Sequence, residues 1–299
     1  MKKILSYSWL ALVALFMYIP VLTLAFYSFT ESTTIGAVRG FSLHNYVTLF
    51  TTEELRNMII GTVLLALGAA VIASILGTLG AIGTFYSRSV TRTIIETANQ
   101  VPVVNADVVT AFSICILLIV VFGIEKNTFV PLVIGHVVLC APFVYLAVMP
   151  RLKQMDNGLY EAALDLGATP FQALYKIVIP QIIPGIVSGF MLSVTLSLDD
   201  YFISTYTKPA TFDTISTYVV NATRGAQTEI KTALWALSTV IFLVVILVVV
   251  VMNVASVRQT EKQEVSSYET RSKSFPSVSW LYRSSLVPKV EYSTSTSMP

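Results

Sequence analysis

The sequence predicts an all-α, polytopic membrane protein built as a bundle of six spans. Three observations carry that prediction. Of the 299 residues, 55% are hydrophobic and only 12% are charged, against roughly 25% charged in soluble domains. The mean hydropathy is +0.73. Six apolar segments, 9–29, 59–85, 103–122, 129–149, 185–206 and 233–255, reach the roughly 20 residues that a helix needs to cross a hydrocarbon core about 30 Å thick.

The first segment follows Met1-Lys2-Lys3, but its apolar run is too long for a secretory leader and no A-x-A-like site follows. An uncleaved span is expected. The loop 31–58 contains FSLHNYVTLF at 41–50, an amphipathic stretch suited to a helix at the membrane surface. The second span repeats small residues, Ala66, Ala70, Ala73, Gly77, Gly80, Ala81 and Thr84. Their spacing near three and four makes one thin face for a neighbouring helix. Pro20, Pro102, Pro131 and Pro142 bend or start spans and can leave carbonyls free to face a cavity. Cys115 and Cys140 fall inside spans with no metal-ligand spacing around them, as expected for buried apolar thiols. His136 stands alone in the fourth span and is expected to bond across helices rather than bind a metal. The sixth segment, TVIFLVVILVVVVMNV, is β-branched, yet without water to satisfy the backbone a run this long is expected to be a helix. Residues 261–299 are rich in Ser, Thr, Lys and Glu without periodicity and read as disordered.

Charge sets the expected orientation. With the N-terminus inside, the inner segments hold Lys2, Lys3, Arg88, Arg92, Arg151, Lys153, Lys176, Arg258 and Lys262, and the outer loops hold Arg39, Arg56, Lys126, Lys208, Arg224 and Lys231. The inner charges sit in short loops, where the positive-inside rule applies best. Both termini are then cytoplasmic, as is the polar insert between the fourth and fifth spans. The net charge of +2 is scattered and forms no stripe for nucleic acid. Neither His lies near an acid pair in sequence, so no catalytic constellation is apparent.

The polar insert is the most specific signal. Residues 161–180 read EAALDLGATPFQALYKIVIP. A short amphipathic helix is expected over 157–166, with Ala162 and Ala163 on a thin face and Leu159, Leu164 and Leu166 making the other face apolar. Gly167 follows as a left-handed stop. Thr169-Pro170 reads as an N-cap with proline at the first helical position. A second short helix is expected over 171–178, ending before Pro180, with Pro184 starting the fifth span. The spacing E-A-A-x3-G-x9-I-x-I-P, carried by Glu161, Ala162, Ala163, Gly167, Ile177 and Pro180, resembles the signature loop of binding-protein-dependent ABC importer permeases. Ile179 stands where that family usually has Leu. The resemblance runs from residue 41 to 257.

That resemblance implies an ABC importer permease bundle with a cytoplasmic coupling helix–turn–helix. It divides the chain into a first span (1–30), an outer loop (31–58), a permease core (59–257) with the coupling loop at 153–180, and a cytoplasmic tail (258–299). It implies four partners in a bacterial plasma membrane: a second homologous permease, two ATPase subunits and an extracytoplasmic binding protein. The loop would rest in a groove on an ATPase, with Glu161 on basic or polar groups, Ala162 and Ala163 permitting close approach and Gly167 holding the turn. The chain has no G-x-x-x-x-G-K-[ST] loop. It is expected to be non-catalytic and to hold no cofactor or metal, with ATP and Mg²⁺ bound by the partner ATPases.

Acids inside spans are functional candidates by default. Asp107 lies in the third span, roughly 6–9 Å from its inner start, and Asp199 in the fifth, roughly 20 Å from its inner start. Asp200 and Tyr201 follow. Carboxylates at two depths beside an aromatic ring suit an elongated cation. Neighbours on a helix point about 100° apart, so Asp199 and Asp200 cannot both face a cavity centrally. The alternative is that some of these acids bond to neighbouring helices or to unwound backbone. SLDDY also resembles the matching segment of spermidine/putrescine importer permeases, and the whole chain is most similar to the second permease of those systems. The resemblance therefore puts polyamines ahead of another small solute (an iron complex, a thiamine-like cation or an oxyanion) and ahead of a secondary transporter.

Overall fold

A computed structural model describes residues 2–30, 40–224, 233–243, 246 and 250. Residues 1–243 form one compact unit. The described residues are helical, with one isolated bridge between Thr30 and Phe41. In order they are α1 (Lys2–Ser28), α2 (His44–Thr51), α3 (Glu53–Phe85), α4 (Ser89–Val104), α5 (Asp107–Cys115, continued by a wide π-type stretch Ile116–Val121), α6 (Val130–Gln154), α7 (Asn157–Asp165), α8 (Pro170–Ala173), α9 (Ile179–Asp199), α10 (Phe202–Thr207) and α11 (Ile215–Arg224). An apolar helix α12, Ala233–Leu243, follows.

Among the described residues, four helical stretches are long and apolar enough to cross a membrane: Tyr7–Ser28, Glu53–Phe85, Val130–Gln154 and Pro170–Asp199. Ser89–Val104 and Asp107–Val121 meet at 106° and are a fifth candidate if the bent pair counts as one span. Of the expected sixth span, α12 and the single residues 246 and 250 are described. The tail 258–299, with Arg258 and Lys262, lies outside the described residues, as do Arg39 and Lys231.

The packing centre is α6. A Cβ placed on Gly77 of α3 would fall 2.7 Å from the Ala141 carbonyl oxygen, and one on Gly189 of α9 would fall 3.0 Å from Val144 Cα. Both helices therefore close on α6 at Val144, which is fully buried. Between spans the driving force is close packing rather than hydrophobic burial, so the thin face of α3 does the joining. Ala66, Ala70, Ala73, Gly77, Ala81 and Thr84 are buried, whereas Gly80 is exposed. Near the expected surface stretch, α2 does more than lie on a membrane. Its buried Asn45 donates through Nδ2 to the Ser28 and Thr30 carbonyls at 3.1 and 3.0 Å, pinning the end of α1.

Three expected elements differ from the structure. The third span does not begin at residue 103, because Asn105 and Ala106 are extended and α5 starts at Asp107. Pro102 is carried inside α4, so the break falls after it. The second short helix of the insert does not stop before Pro180, and Pro184 does not open a new helix. The chain is helical without interruption from Pro170 to Asp199. Pro180 has no N–H to give the Lys176 carbonyl. The wide stretch Leu174–Val178 immediately upstream shifts the bonding register so that the helix continues. Third, the fifth span is not continuous over 185–206: α9 ends at Asp199, Asp200 is extended (φ −65°, ψ 123°), and α10 restarts at Phe202.

Candidate functional site: an inner turn and a broken helix

The insert folds as local chemistry dictates. Asp156 caps α7, its Oδ1 accepting from the Gly158 N–H at 2.9 Å. Gly167 has φ +87°, a conformation that a residue with a Cβ rarely adopts. With it come the closing bonds from the Gly167 N–H to the Leu164 carbonyl at 2.9 Å and from the Ala168 N–H to the Ala163 carbonyl at 3.0 Å. Thr169 and Gln172 then cap each other's backbone at 3.3 and 3.1 Å, which satisfies the first donors of the next helix.

Of the motif residues, Ala163 is buried and Ile177 half-buried, while Glu161, Ala162, Gly167 and Pro180 are exposed. Leu166, expected on an apolar packing face, is 89% exposed. With Phe171 and Tyr175, also exposed, it leaves an apolar surface around the turn. The base of the insert is held by charge: Lys153 Nζ lies 3.2 Å and Arg92 Nε 3.1 Å from Glu96 Oε1. The hydrogen bond from Arg92, and then that from Lys153, hold the Glu96 carboxyl below the usual range. Tyr160 of α7 packs its ring 5.1 Å from that of Tyr86, whose hydroxyl pKa is pushed up by burial and then by the neighbouring phenol.

The acids of the fifth span part company at the helix break. Asp199 is exposed. Asp200 turns inward, its side chain 6% exposed, and caps α10 with both oxygens. The Ile203 N–H donates to Oδ1 at 3.2 Å and the Ser204 N–H to Oδ2 at 2.7 Å. Fully buried His136 faces this cap. Its Nδ1 donates to the Leu132 carbonyl at 2.8 Å, and its Nε2 lies 3.4 Å from Ser204 Oγ and 3.8 Å from Asp200 Oδ2. On the other side, Ser216 of α11 donates to the Leu198 carbonyl at 3.0 Å, a group left free by the end of α9.

Tyr201 is half-buried with its ring 5.3 Å from that of Phe202. Asp107 is exposed in the first turn of α5. Helix α10 packs along α5, where Cys115 Sγ donates to the Tyr206 carbonyl at 3.4 Å and the Phe112 and Tyr206 rings meet at 5.8 Å. The helices that begin at Asp107 and just after Asp200 thus form one packed pair. Cys140 is buried, and both thiols are free. Among the described residues no group of three His, Cys, Asp or Glu could hold a metal.

The sequence reading expected His136 to bond across helices and left open that an acid holds unwound backbone, as His136 and Asp200 do, but it placed neither the break nor the approach of His136 to Asp200. The one available signal was the pairing of a lone His in one span with an acid in another.

Comparison with known proteins bears on both regions. Residues 73–262 match the family described as binding-protein-dependent transport system inner membrane component. The spermidine/putrescine transport system permease protein PotC of Haemophilus influenzae is 31% identical over 77% of this chain and 89% of its own. The putrescine transport system permease protein PotI of Escherichia coli K12 is 30% identical over 72% and 79%. Among solved structures, a bacterial ABC transporter that imports the acidic polysaccharide alginate superposes with a TM-score of 0.67 at 21% identity, covering 86% of this chain and 96% of that one. The methionine ABC transporter MetNI gives 0.51 at 16%, covering 71% and 99%. At those identities the structural likeness speaks for the fold alone. The sequence match over most of the permease core goes further, and the chain belongs to the family of binding-protein-dependent transport system inner membrane components.

Proposed function

We propose that this chain is the permease subunit of an ATP-driven importer that moves polyamines, spermidine or putrescine, across a bacterial plasma membrane. The observation that carries this reading is similarity to permeases named for those cargoes, with alignments over 72% to 83% of this chain. The same similarity speaks against an iron complex, a thiamine-like cation or an oxyanion. In this reading the chain has six spans, the sixth over 233–255, with both termini cytoplasmic and a cytoplasmic tail from 258. Its partners are a second homologous permease, two ATPase subunits that hold ATP and Mg²⁺, and an extracytoplasmic binding protein. The chain itself catalyses nothing.

The turn within 153–180 acts as the coupling element. Exposed Glu161 and Ala162, with Leu166 and Phe171 beside them, enter the ATPase groove. Buried Ala163 and the left-handed Gly167 make the elbow stiff. Because the helix from Pro170 to Asp199 is unbroken, a push at the elbow travels about 44 Å at 1.5 Å per residue to the carboxylate of Asp199. There and at Asp107, exposed acids give an elongated polycation transient stops, with Tyr201 shaping the path beside Asp199, and conduction favours such weak sites.

The test is uptake of labelled spermidine by cells lacking their own importer. The cells express the partner permease, ATPase and binding protein with or without this chain. ATP-dependent uptake that requires this chain is expected. An assembled complex that takes up no polyamine removes the cargo and leaves the family assignment standing.

A further inference from the structure

The break between α9 and α10 is capped by Asp200, but that residue alone does not account for it. Residues 197–204, SLDDYFIS, contain neither Gly nor Pro, and an apolar surrounding penalises every backbone group left unpaired. What holds the chain open there is a set of side chains from three elements: Asp200 on the Ile203 and Ser204 amides, Ser216 on the Leu198 carbonyl, and His136 behind both Ser204 and Asp200. His136 is itself oriented. Its Nδ1 proton is committed to the Leu132 carbonyl, which leaves Nε2 to accept from the Ser204 hydroxyl, with Asp200 Oδ2 3.8 Å away. The result is a division of labour: the buried acid is occupied with backbone, and its neighbour Asp199 is left exposed.

Resting on the polyamine reading above, we propose that His136 is a positioning residue of the transport path. Through Ser204 and Asp200 it fixes the break between α9 and α10, and so presents Asp199, not Asp200, as the carboxylate that meets a cationic cargo. Asp200 then serves as a hydrogen-bond acceptor, and its charge is secondary. His136 touches no cargo. Its substitution acts only by letting α9 and α10 rejoin or sag, which moves Asp199.

The experiment is spermidine uptake by the complete four-component complex, with each variant's assembly checked by co-purification of the ATPase. Asp200→Asn keeps one of the two cap acceptors, enough for the shorter bond from the Ser204 amide, and drops the charge, and Asn serves as well as Asp at an N-cap. KM should change by no more than about twofold for it and rise about fivefold or more for Asp200→Ala. His136→Leu should raise KM about fivefold in the wild-type background and add nothing once Asp199→Asn is present, the non-additivity expected of residues acting through one contact. His136→Gln, which keeps an acceptor within reach of Ser204, should restore uptake. His136→Asn, which keeps only the Leu132 bond, should not. Equal loss in Asp200→Asn and Asp200→Ala, additive His136 and Asp199 effects, or rescue by Asn and not Gln would each overturn the assignment.

If the wild-type complex takes up no spermidine, the cargo reading falls, and hydrogen exchange at the Ile203 and Ser204 amides decides the rest. Exchange faster in His136→Leu and Asp200→Ala than in Asp200→Asn supports the positioning role. Unchanged exchange in His136→Leu ends it.

Discussion

The inner turn at 156–172 and the break at 198–204 both interrupt helices, and they do so by opposite means. At the inner turn the instructions are local. Asp156, Gly167, Thr169 and Gln172 each satisfy backbone groups within five residues of themselves. At the break Asp200 also caps locally, three and four residues on, but further partners arrive from far along the chain: His136 lies 68 residues from Ser204 in sequence, and Ser216 lies 18 from Leu198. A locally encoded interruption forms as a unit and can move as a unit. One that is assembled from several helices exists only while those helices keep their places, so a change in packing can alter it.

The substitution with the largest expected effect breaks the local side of that comparison. Gly167→Pro imposes φ near −65° where the chain needs +87° and costs the turn about 3 kcal/mol or more. The chain should remain in the membrane, because the contacts of α3 and α9 with α6 at Gly77, Gly189 and Val144 do not involve Gly167, while ATP-driven spermidine uptake falls to background. Normal uptake by this variant would remove the elbow from the mechanism.

This contrast also explains what could be read from the residues alone. Gly167, Thr169 and Pro170 announced their turn because each has a conformational preference that needs no partner. The thin face of α3 was legible for the same reason, since Ala and Gly at helical spacing admit a neighbour whichever neighbour it is. Asp200 announced nothing comparable. An acid in an apolar run signals function or pairing without saying which, and only the meeting with His136 and Ser204 shows that its oxygens are taken by backbone. Pro180 misled in the other direction. Proline normally ends a helix, but the wide stretch at Leu174–Val178 accommodates it, and no residue type there advertises that register change.

A paired substitution sharpens the comparison at intermediate size. Thr169→Ala removes one cap of the inner turn and should cost about 1 kcal/mol, confined to faster hydrogen exchange around 169–173. Ser216→Ala removes one bond at the break, again about 1 kcal/mol, but its partner, the Leu198 carbonyl, is shared between α9 and α11. Its effect should appear in both helices, at 198–204 and at 215–218. Exchange confined to one helix in both variants would mean that the break is as local as the turn.

The smallest effect separates the two regions by solvation. The pair Lys153–Glu96 at the base of the inner turn is partly exposed, with side-chain exposures of 47% and 30%. The pair formed by His136 and Asp200 is 0% and 6% exposed. Exposed pairs contribute about 1 kcal/mol at most and weaken with salt. The folded-state pKa of Glu96 is depressed, first by the Arg92 hydrogen bond and then by Lys153. Its contribution is therefore present above the unfolded carboxylate pKa and is lost as pH falls through the lower, folded value. Glu96→Gln should remove that acid-side dependence from thermal melts of the purified complex. The same dependence should shrink in high salt for the wild type, because screening acts on exposed charges first. Hydrogen exchange at Ile203 and Ser204 should not respond to salt at all, since the groups that hold the break are out of reach of counterions. Salt-sensitive exchange at the break would mean that water reaches Asp200, and the division between a solvated turn and a dry break would fail.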